Sequence, residues 1–462
     1  MTDAVRLVAL NLALALVGVG AIHLAGMPLA RRLLPTILGL APATGLALGG
    51  LVATVGAMAG LDVAWPSTFA LATVVLGAGY LMKRRRQPVP IPHAPSHRGP
   101  VDRAVELAAL VGLAALSIGI VRLAIATNLG PWDGWAIWAP KAHALFVDGD
   151  VWGPVFREPV YLSQHQEYPI LLPALEALSA NTLGRFDPRL IDVEAAAVLV
   201  SFGWGSWALL RLVVPPAISA VAAFALTASA PLAPNAAANY ADAVVASFTA
   251  LALLCLVVWL ARGMVTTLVL AGVFLAAAAS VKAEGLVFAV AALMAAGIAA
   301  RSFGRRVRPV AVLGSIALVV PVTWMVVDRL NGPGPDNIDR RAFVNLAYIG
   351  EALDRIPVAA QRLVVEIASD WSLASLAVLI AFSATLLVRA WRYVLFAGVW
   401  GALAFAGLVS IYYAGTPPID WYLTTSADRV ISSLVLGLAT IAPVLAVRAW
   451  EEARSRDPSL TP

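Results

Sequence analysis

Five places in the 462-residue chain put ionisable or hydrogen-bonding side chains where apolar runs begin or end. Asp133 stands in Trp132-Asp133-Gly134-Trp135-Ala136-Ile137-Trp138, a carboxylate among three indoles. Desolvation by indole faces raises a carboxyl's pKa toward the range of a general base. The plainer reading is a helix N-cap beside interfacial tryptophans. His165, Glu167 and Tyr168 run from a polar stretch into an apolar helix. Such groups suit sugar hydroxyls or a divalent cation, although a metal site normally takes three or more protein ligands; polar surface ahead of Pro169 is the plainer reading. Asp242 opens a later run, where a carboxylate costs a few kcal/mol unless it is paired or faces water. Lys282 and Glu284 fill the turn between Ala279 and Gly285, either paired or with Lys282 facing an anion. Asp428-Arg429 precedes the last run; an arginine there suits a bidentate contact to a lipid phosphate, against simple snorkelling.

The elements that must position these groups follow from composition. The chain is 60% apolar and 13% charged, with mean hydropathy +0.84, against about 45–50% and about 25% for soluble domains. A water-soluble enzyme, a nucleic-acid-binding domain and a disordered scaffold are excluded. Thirteen apolar runs, from Val5–Met27 to Ile431–Val447, predict an all-α integral membrane protein, a polytopic bundle of about 13 transmembrane helices. The first run lacks a basic leader and reads as a retained span. Cys255 lies alone in an apolar run, giving neither a disulfide framework nor a thiolate metal site.

Charge bias sets the orientation. The pI near 9.5 reflects basic loops rather than an anionic partner: 19 of the 32 basic residues fall on one side with only five acids. That side is cytoplasmic by the positive-inside rule, which puts the N-terminus outside and the C-terminus inside the plasma (inner) membrane. The same rule makes Tyr168–Leu183 an interfacial helix rather than a span, since a span there would carry Arg211 and Arg262 outside. Three N-terminal spans (1–82) precede a Pro-rich basic linker (83–103) and a larger module (104–462). That module has long outer loops at 127–191, 328–371 and 413–429. In the second loop Phe343, Leu346, Ile349, Leu353 and Ile356 share one face and predict an amphipathic interfacial helix pair. The span interiors read as almost free of ionisable groups, which counts against an ion pathway. Asp133, Asp242, Lys282 and Asp428-Arg429 all map to the outer face.

The order of these features resembles the GT-C glycosyltransferases. It is closest to the branch of protein mannosyltransferases and lipid A aminoarabinose transferases. The resemblance spans roughly Ala104 to the end. Trp132-Asp133-Gly134 matches the family's loop Asp, with Gly134 where many relatives carry Glu. Glu167-Tyr168-Pro169-Ile170-Leu171 resembles "(H/K)-x-P-P-L", with one proline of the usual pair. Leu183-Gly184-Arg185-Phe186-Asp187-Pro188-Arg189-Leu190 resembles the "G…F…R-L" stretch. Asp242 resembles the acid of "R-P-D", Lys282-Ala283-Glu284-Gly285 resembles "T-K-x-x-G", and Ser426-Ala427-Asp428-Arg429 resembles the late "(E/D)-R-Y", with Val430 in place of Tyr.

The resemblance implies sugar transfer from a polyprenyl-phosphate donor to a hydroxyl of an envelope glycan, lipid or protein on the outer face. Asp133 is then the general base, with inversion at the anomeric carbon. Arg429 and Lys282 offset phosphate charge, while His165, Glu167, Tyr168, Asp242, Glu284 and Asp428 hold substrate. The resemblance fixes no cofactor; His165, Glu167 and Asp242 are placed to hold sugar or acceptor hydroxyls or else a divalent cation. The rivals are a surface-polysaccharide polymerase or ligase and a non-catalytic lipid or saccharide transporter; the latter predicts internal repeats and broken helices, and no convincing repeat is visible.

Overall fold

The computed structural model describes residues 2–83, 99–127, 129, 131–332 and 352–456. Most of the basic linker lies outside the described residues, as do Phe343, Leu346 and Ile349 of the expected interfacial pair. Among the described residues every regular element is a helix.

The N-terminal helices are α1 (Asp3–Leu24), α2 (Leu34–Met58), α3 (Trp65–Lys83) and α4 (Pro100–Ala126). A π-turn over Gly134–Trp138 leads into α5 (Ala139–Asp148), followed by α6 (Leu171–Leu183), the short α7 (Pro188–Ile191), α8 (Val193–Leu210), α9 (Pro216–Thr227) and α10 (Leu232–Ala237). Then come α11 (Ala241–Arg262), α12 (Val265–Ala279), α13 (Ala283–Ala300), α14 (Arg308–Ala317) and α15 (Val319–Asn331). The last are α16 (Arg355–Ser369), α17 (Ser372–Leu387), α18 (Trp391–Ala414) and α19 (Ile419–Arg456).

Among the described residues nine helices are long and apolar enough to cross a bilayer; a tenth results if α16 and α17, meeting at a 95° bend, form one span. The architecture is that of a polytopic helical membrane protein. Of the other expected runs, α9 and α12 are apolar helices of 12 and 15 residues, below the roughly 17–25 that a bilayer asks for.

Helix α11 is buried along its whole length and forms the axis of the core, packed by α8, α12, α13 and α19. A helix apolar on every side belongs in such a position. Helix α2 packs on α1, α6, α8 and α12, so the N-terminal helices share this core. The contact of α1 with α2 depends on glycine: a Cβ on Gly18 would lie 2.0 Å from the Ala41 oxygen, and one on Gly45 1.9 Å from the Leu14 oxygen. Close backbone approach replaces hydrophobic drive where the solvent is itself apolar.

Two expectations change. Helix α6, read as interfacial, is buried on all sides, from Leu171 through Ala180, against α1, α2, α5 and α8. Its Pro169 and Pro173 shorten it without bringing it to a surface. The helical interior also holds three carboxyl groups: Glu176 of α6, Asp192 at the start of α8 and Glu194 within it are all fully buried.

Candidate functional site

Asp133, Asp242, Lys282, Glu284 and Arg429 come from four separate stretches of chain and meet in one ionic network. Asp133 sits at the start of the π-turn with helical backbone angles, and its side chain makes no cap hydrogen bond. A five-residue π-turn widens the helix locally, a distortion common at functional positions. The Asp133 Oδ2 instead accepts from Arg429 Nη1 at 2.7 Å. Its other oxygen has no protein partner among the described residues.

Gly134 explains how Asp133 is seated. A Cβ at Gly134 would lie 2.7 Å from the Ala238 oxygen and 3.5 Å from the Asn239 Cβ. The π-turn is therefore pressed against the turn that precedes α11. A Glu side chain has no room at this position.

Asp242 lies in the first turn of α11, buried. Its Oδ1 accepts from Lys282 Nζ at 2.9 Å, and its Oδ2 lies 3.5 Å from Arg429 Nη1. Lys282 caps α13 in extended backbone and also meets Glu284 Oε1 at 3.2 Å. Burial by itself pushes the Lys282 ammonium down; Asp242 and Glu284 outweigh it and hold the pKa above the ordinary lysine range.

Arg429 lies on α19. Besides its two carboxylates, its Nη2 donates to the Thr425 carbonyl at 2.6 Å, and its guanidinium stacks 4.0 Å from the Tyr240 ring centre. The planar fork suits this division among a carboxylate, a carbonyl and a ring face. Two cations and three carboxylates leave the network one negative charge in excess.

Tyr168 joins the network to the first loop. Its ring stacks on Trp138 and His165, with centroid separations of 5.8 and 4.8 Å, and lies 6.0 Å from Lys282 Nζ. His165 takes left-handed backbone at φ 51° and pairs with Glu167 at 3.2 Å. Trp324 of α15 donates to the Glu167 carbonyl at 3.0 Å, so the loop is pinned to the bundle.

Asp428 is the one proposed residue that stays apart. It is exposed on α19 and makes no ion pair among the described residues. Adjacent helical residues point about 100° apart, so the face that delivers Arg429 inward turns Asp428 out.

Three residues escaped the sequence reading. Lys141 of α5 is fully buried, donates to the carbonyls of His165 and of Tyr168, the latter at 3.2 Å, and lies 5.7 Å from the centres of both the Trp138 and Tyr168 rings. Burial pushes its pKa down to about 7. Tyr412 and Tyr422 stack edge-to-face with centroids 4.9 Å apart, and Tyr412 hydrogen-bonds Ser426 at 3.0 Å. The Tyr-Tyr pair of residues 412–413 was the only signal for this wall. Among the described residues no three His, Cys, Asp or Glu side chains converge to hold a metal.

The arrangement presents a carboxylate with one open oxygen beside a guanidinium, an ammonium and several ring faces. It is equipped to take a proton from a hydroxyl and to donate hydrogen bonds to a nearby oxygen. No known protein family matches the chain, and no curated protein or solved structure matches it.

Proposed function

We propose that the protein is a membrane glycosyltransferase that moves a sugar from a polyprenyl-phosphate carrier to an acceptor hydroxyl on the extracytoplasmic face. The supporting observation is the convergence of Asp133, Asp242, Lys282 and Arg429, positions up to 296 residues apart, in one network at one end of the bundle. In this reading the bundle has about thirteen spans in a GT-C-like arrangement, with the N-terminus outside and the C-terminus cytoplasmic.

Asp133 takes the acceptor's proton through its unpaired oxygen while Arg429 fixes the other. The freed alkoxide electron pair forms the new bond to the anomeric carbon. The carbon–oxygen bond to the carrier breaks, and its electrons leave with the phosphate. One in-line displacement inverts the centre. Arg429 and Lys282 balance the charge on the departing phosphate, while Tyr168, Tyr240, His165 and Glu167 supply ring faces and hydrogen bonds for sugars. An envelope glycan, lipid or protein serves as acceptor.

Asp133→Asn keeps the size and one hydrogen-bond acceptor but removes the base. With a panel of polyprenyl-phosphate sugars in native membranes, we expect transfer to fall by about 10²–10⁴-fold at unchanged protein level. Undiminished transfer overturns the assignment.

The buried carboxyls of α6 and α8 favour one second reading, a proton-coupled saccharide or lipid transporter, because ionisable groups at membrane depth mark such pathways. Transport in vesicles that Glu176→Gln abolishes and Asp133→Asn leaves intact would select it.

A further inference from the structure

We infer that the end of the molecule opposite the candidate site carries a binding site for an anionic phospholipid, with its phosphate among three arginines and an acyl chain in an apolar groove.

The headgroup part is a cavity of about 540 Å³ where α17, α18 and α19 meet, lined by Arg389, Arg392, Arg448, Tyr393, Glu451 and Glu452. It lies nineteen residues beyond Arg429 on α19, about 28 Å by helix rise. Glu451 is matched by Arg448 at 2.5 Å, and Glu452 by Arg456 at 2.8 Å. Arg389 and Arg392 have no ion pair among the described residues, which leaves two positive charges on the cavity uncompensated. Arg448 keeps a buried Nε without a hydrogen-bond partner, and its guanidinium lies 5.8 Å from the Tyr393 ring centre. Arg389 itself takes φ 58°, a position that glycine ordinarily fills after a helix. Arginine forks match phosphate oxygens in pairs.

The chain part is a groove of about 1090 Å³ between α9, α17 and α19, floored by small residues such as Ala381, Ala442 and Ala446. It runs the length of α17, about 24 Å by helix rise, which exceeds the roughly 15 Å of hydrocarbon in one leaflet. At its near end it is lined by Val388, Trp450 and Ala453, chain neighbours of Arg389, Glu451 and Glu452. Positive-inside bias accounts for arginines at this face. It does not account for a cavity that gathers three of them at the mouth of a groove long enough for an acyl chain. Charge complementarity selects an anionic headgroup over a zwitterionic one. The site is independent of the transferase reading and faces the cytoplasmic leaflet if the charge rule holds.

The test is native mass spectrometry of the delipidated full chain titrated with dioleoyl phosphatidylglycerol, dioleoyl phosphatidylcholine, or inorganic phosphate. We expect one saturable phosphatidylglycerol per chain, held at least tenfold more tightly than phosphatidylcholine, with no competition from millimolar phosphate. R389Q/R392Q should bring both lipids to the same affinity, R389K/R392K should keep the preference, and A446F in the groove should weaken phosphatidylglycerol. Equal binding of the two lipids by the native chain overturns the site, as does an unchanged preference in the glutamine pair. Loss of preference in the lysine pair, which keeps the charge, overturns charge complementarity as the basis of the selection. Displacement by inorganic phosphate overturns the lipid and leaves a free anion as occupant.

Discussion

Two groups of buried carboxylates lie within this one bundle, and they are treated in opposite ways. At the candidate site Asp133, Asp242 and Glu284 share two cations, Lys282 from the start of α13 and Arg429 from within α19, with contacts of 2.7–3.5 Å. Behind it, Glu176, Asp192 and Glu194 are fully buried and have no cation among the described residues. Glu194 accepts from Ser179 at 2.5 Å and from Asn11 at 3.3 Å, the Asp192 oxygens find no partner among the described residues, and Glu176 has the buried Asn239 amide beside it. A carboxylate at depth needs a counterion or a proton. The first group uses counterions. The second has only protons to use. A fold that assembles ion pairs from four chain segments fixes their geometry, whereas a neutral carboxyl cluster leaves its groups free to change state.

The largest expected effect is on the compensated side. Lys282→Met strands Glu284 and leaves Asp242 only its 3.5 Å contact with Arg429, and breaking a buried pair in this way costs about 3–5 kcal/mol, read as a lower melting temperature in detergent. Asp242→Asn in the same background should recover part of that loss. If Lys282→Met melts like the native chain, the network is not what holds these helix ends together.

Lys141 offers a second handle, because burial outweighs the nearby charges of Glu167 and Asp328 and pushes its pKa from 10.5 to about 7. The unfolded chain binds more protons than the native one between those values, so stability rises with pH across the window. The cost of burying the charge is fully present below pH 7 and is relieved above it. From pH 7 to 9 the gain is about 2–3 kcal/mol, seen in thermal melts of the native chain and absent from Lys141→Met.

Gly134→Ala drives a methyl into the Ala238 carbonyl at 2.7 Å. Overpacking of that kind costs about 1–3 kcal/mol, and transfer should fall with stability because Asp133 is displaced. Equal activity at lower stability would separate the seat of Asp133 from its chemistry. The smallest effect belongs to the uncompensated group: Glu176→Gln replaces a neutral carboxyl by a neutral amide and should move the melting free energy by under about 1 kcal/mol. A loss as large as that of Lys282→Met would mean the cluster is charged, and the contrast would collapse.

Much of the network was legible because ionisable residues at the ends of apolar runs are few, and each of Asp133, Asp242, Lys282 and Arg429 stood at such an end. Sequence adjacency misplaced Asp428 for the reason that helical rotation separates neighbours. Lys141 was not legible, since an isolated loop lysine gives no hint that two carbonyls and two rings will close over it. Nor was the burial of α6: a short helix flanked by prolines has the same pattern on a membrane surface as in a packed interior. The span boundaries suffered at α9, where the helix ends at Thr227 while the apolar run continues to Leu232; α12 matches its run, Val265–Ala279, and is short because that run is short.

The glycine behind Asp133 also constrains how this centre could be altered. Adding a second acid there would first require the Ala238–Asn239 turn to withdraw, and that turn leads directly into the helix carrying Asp242. A single codon change cannot deliver both. The π-turn is thus held to a single carboxylate by a backbone collision.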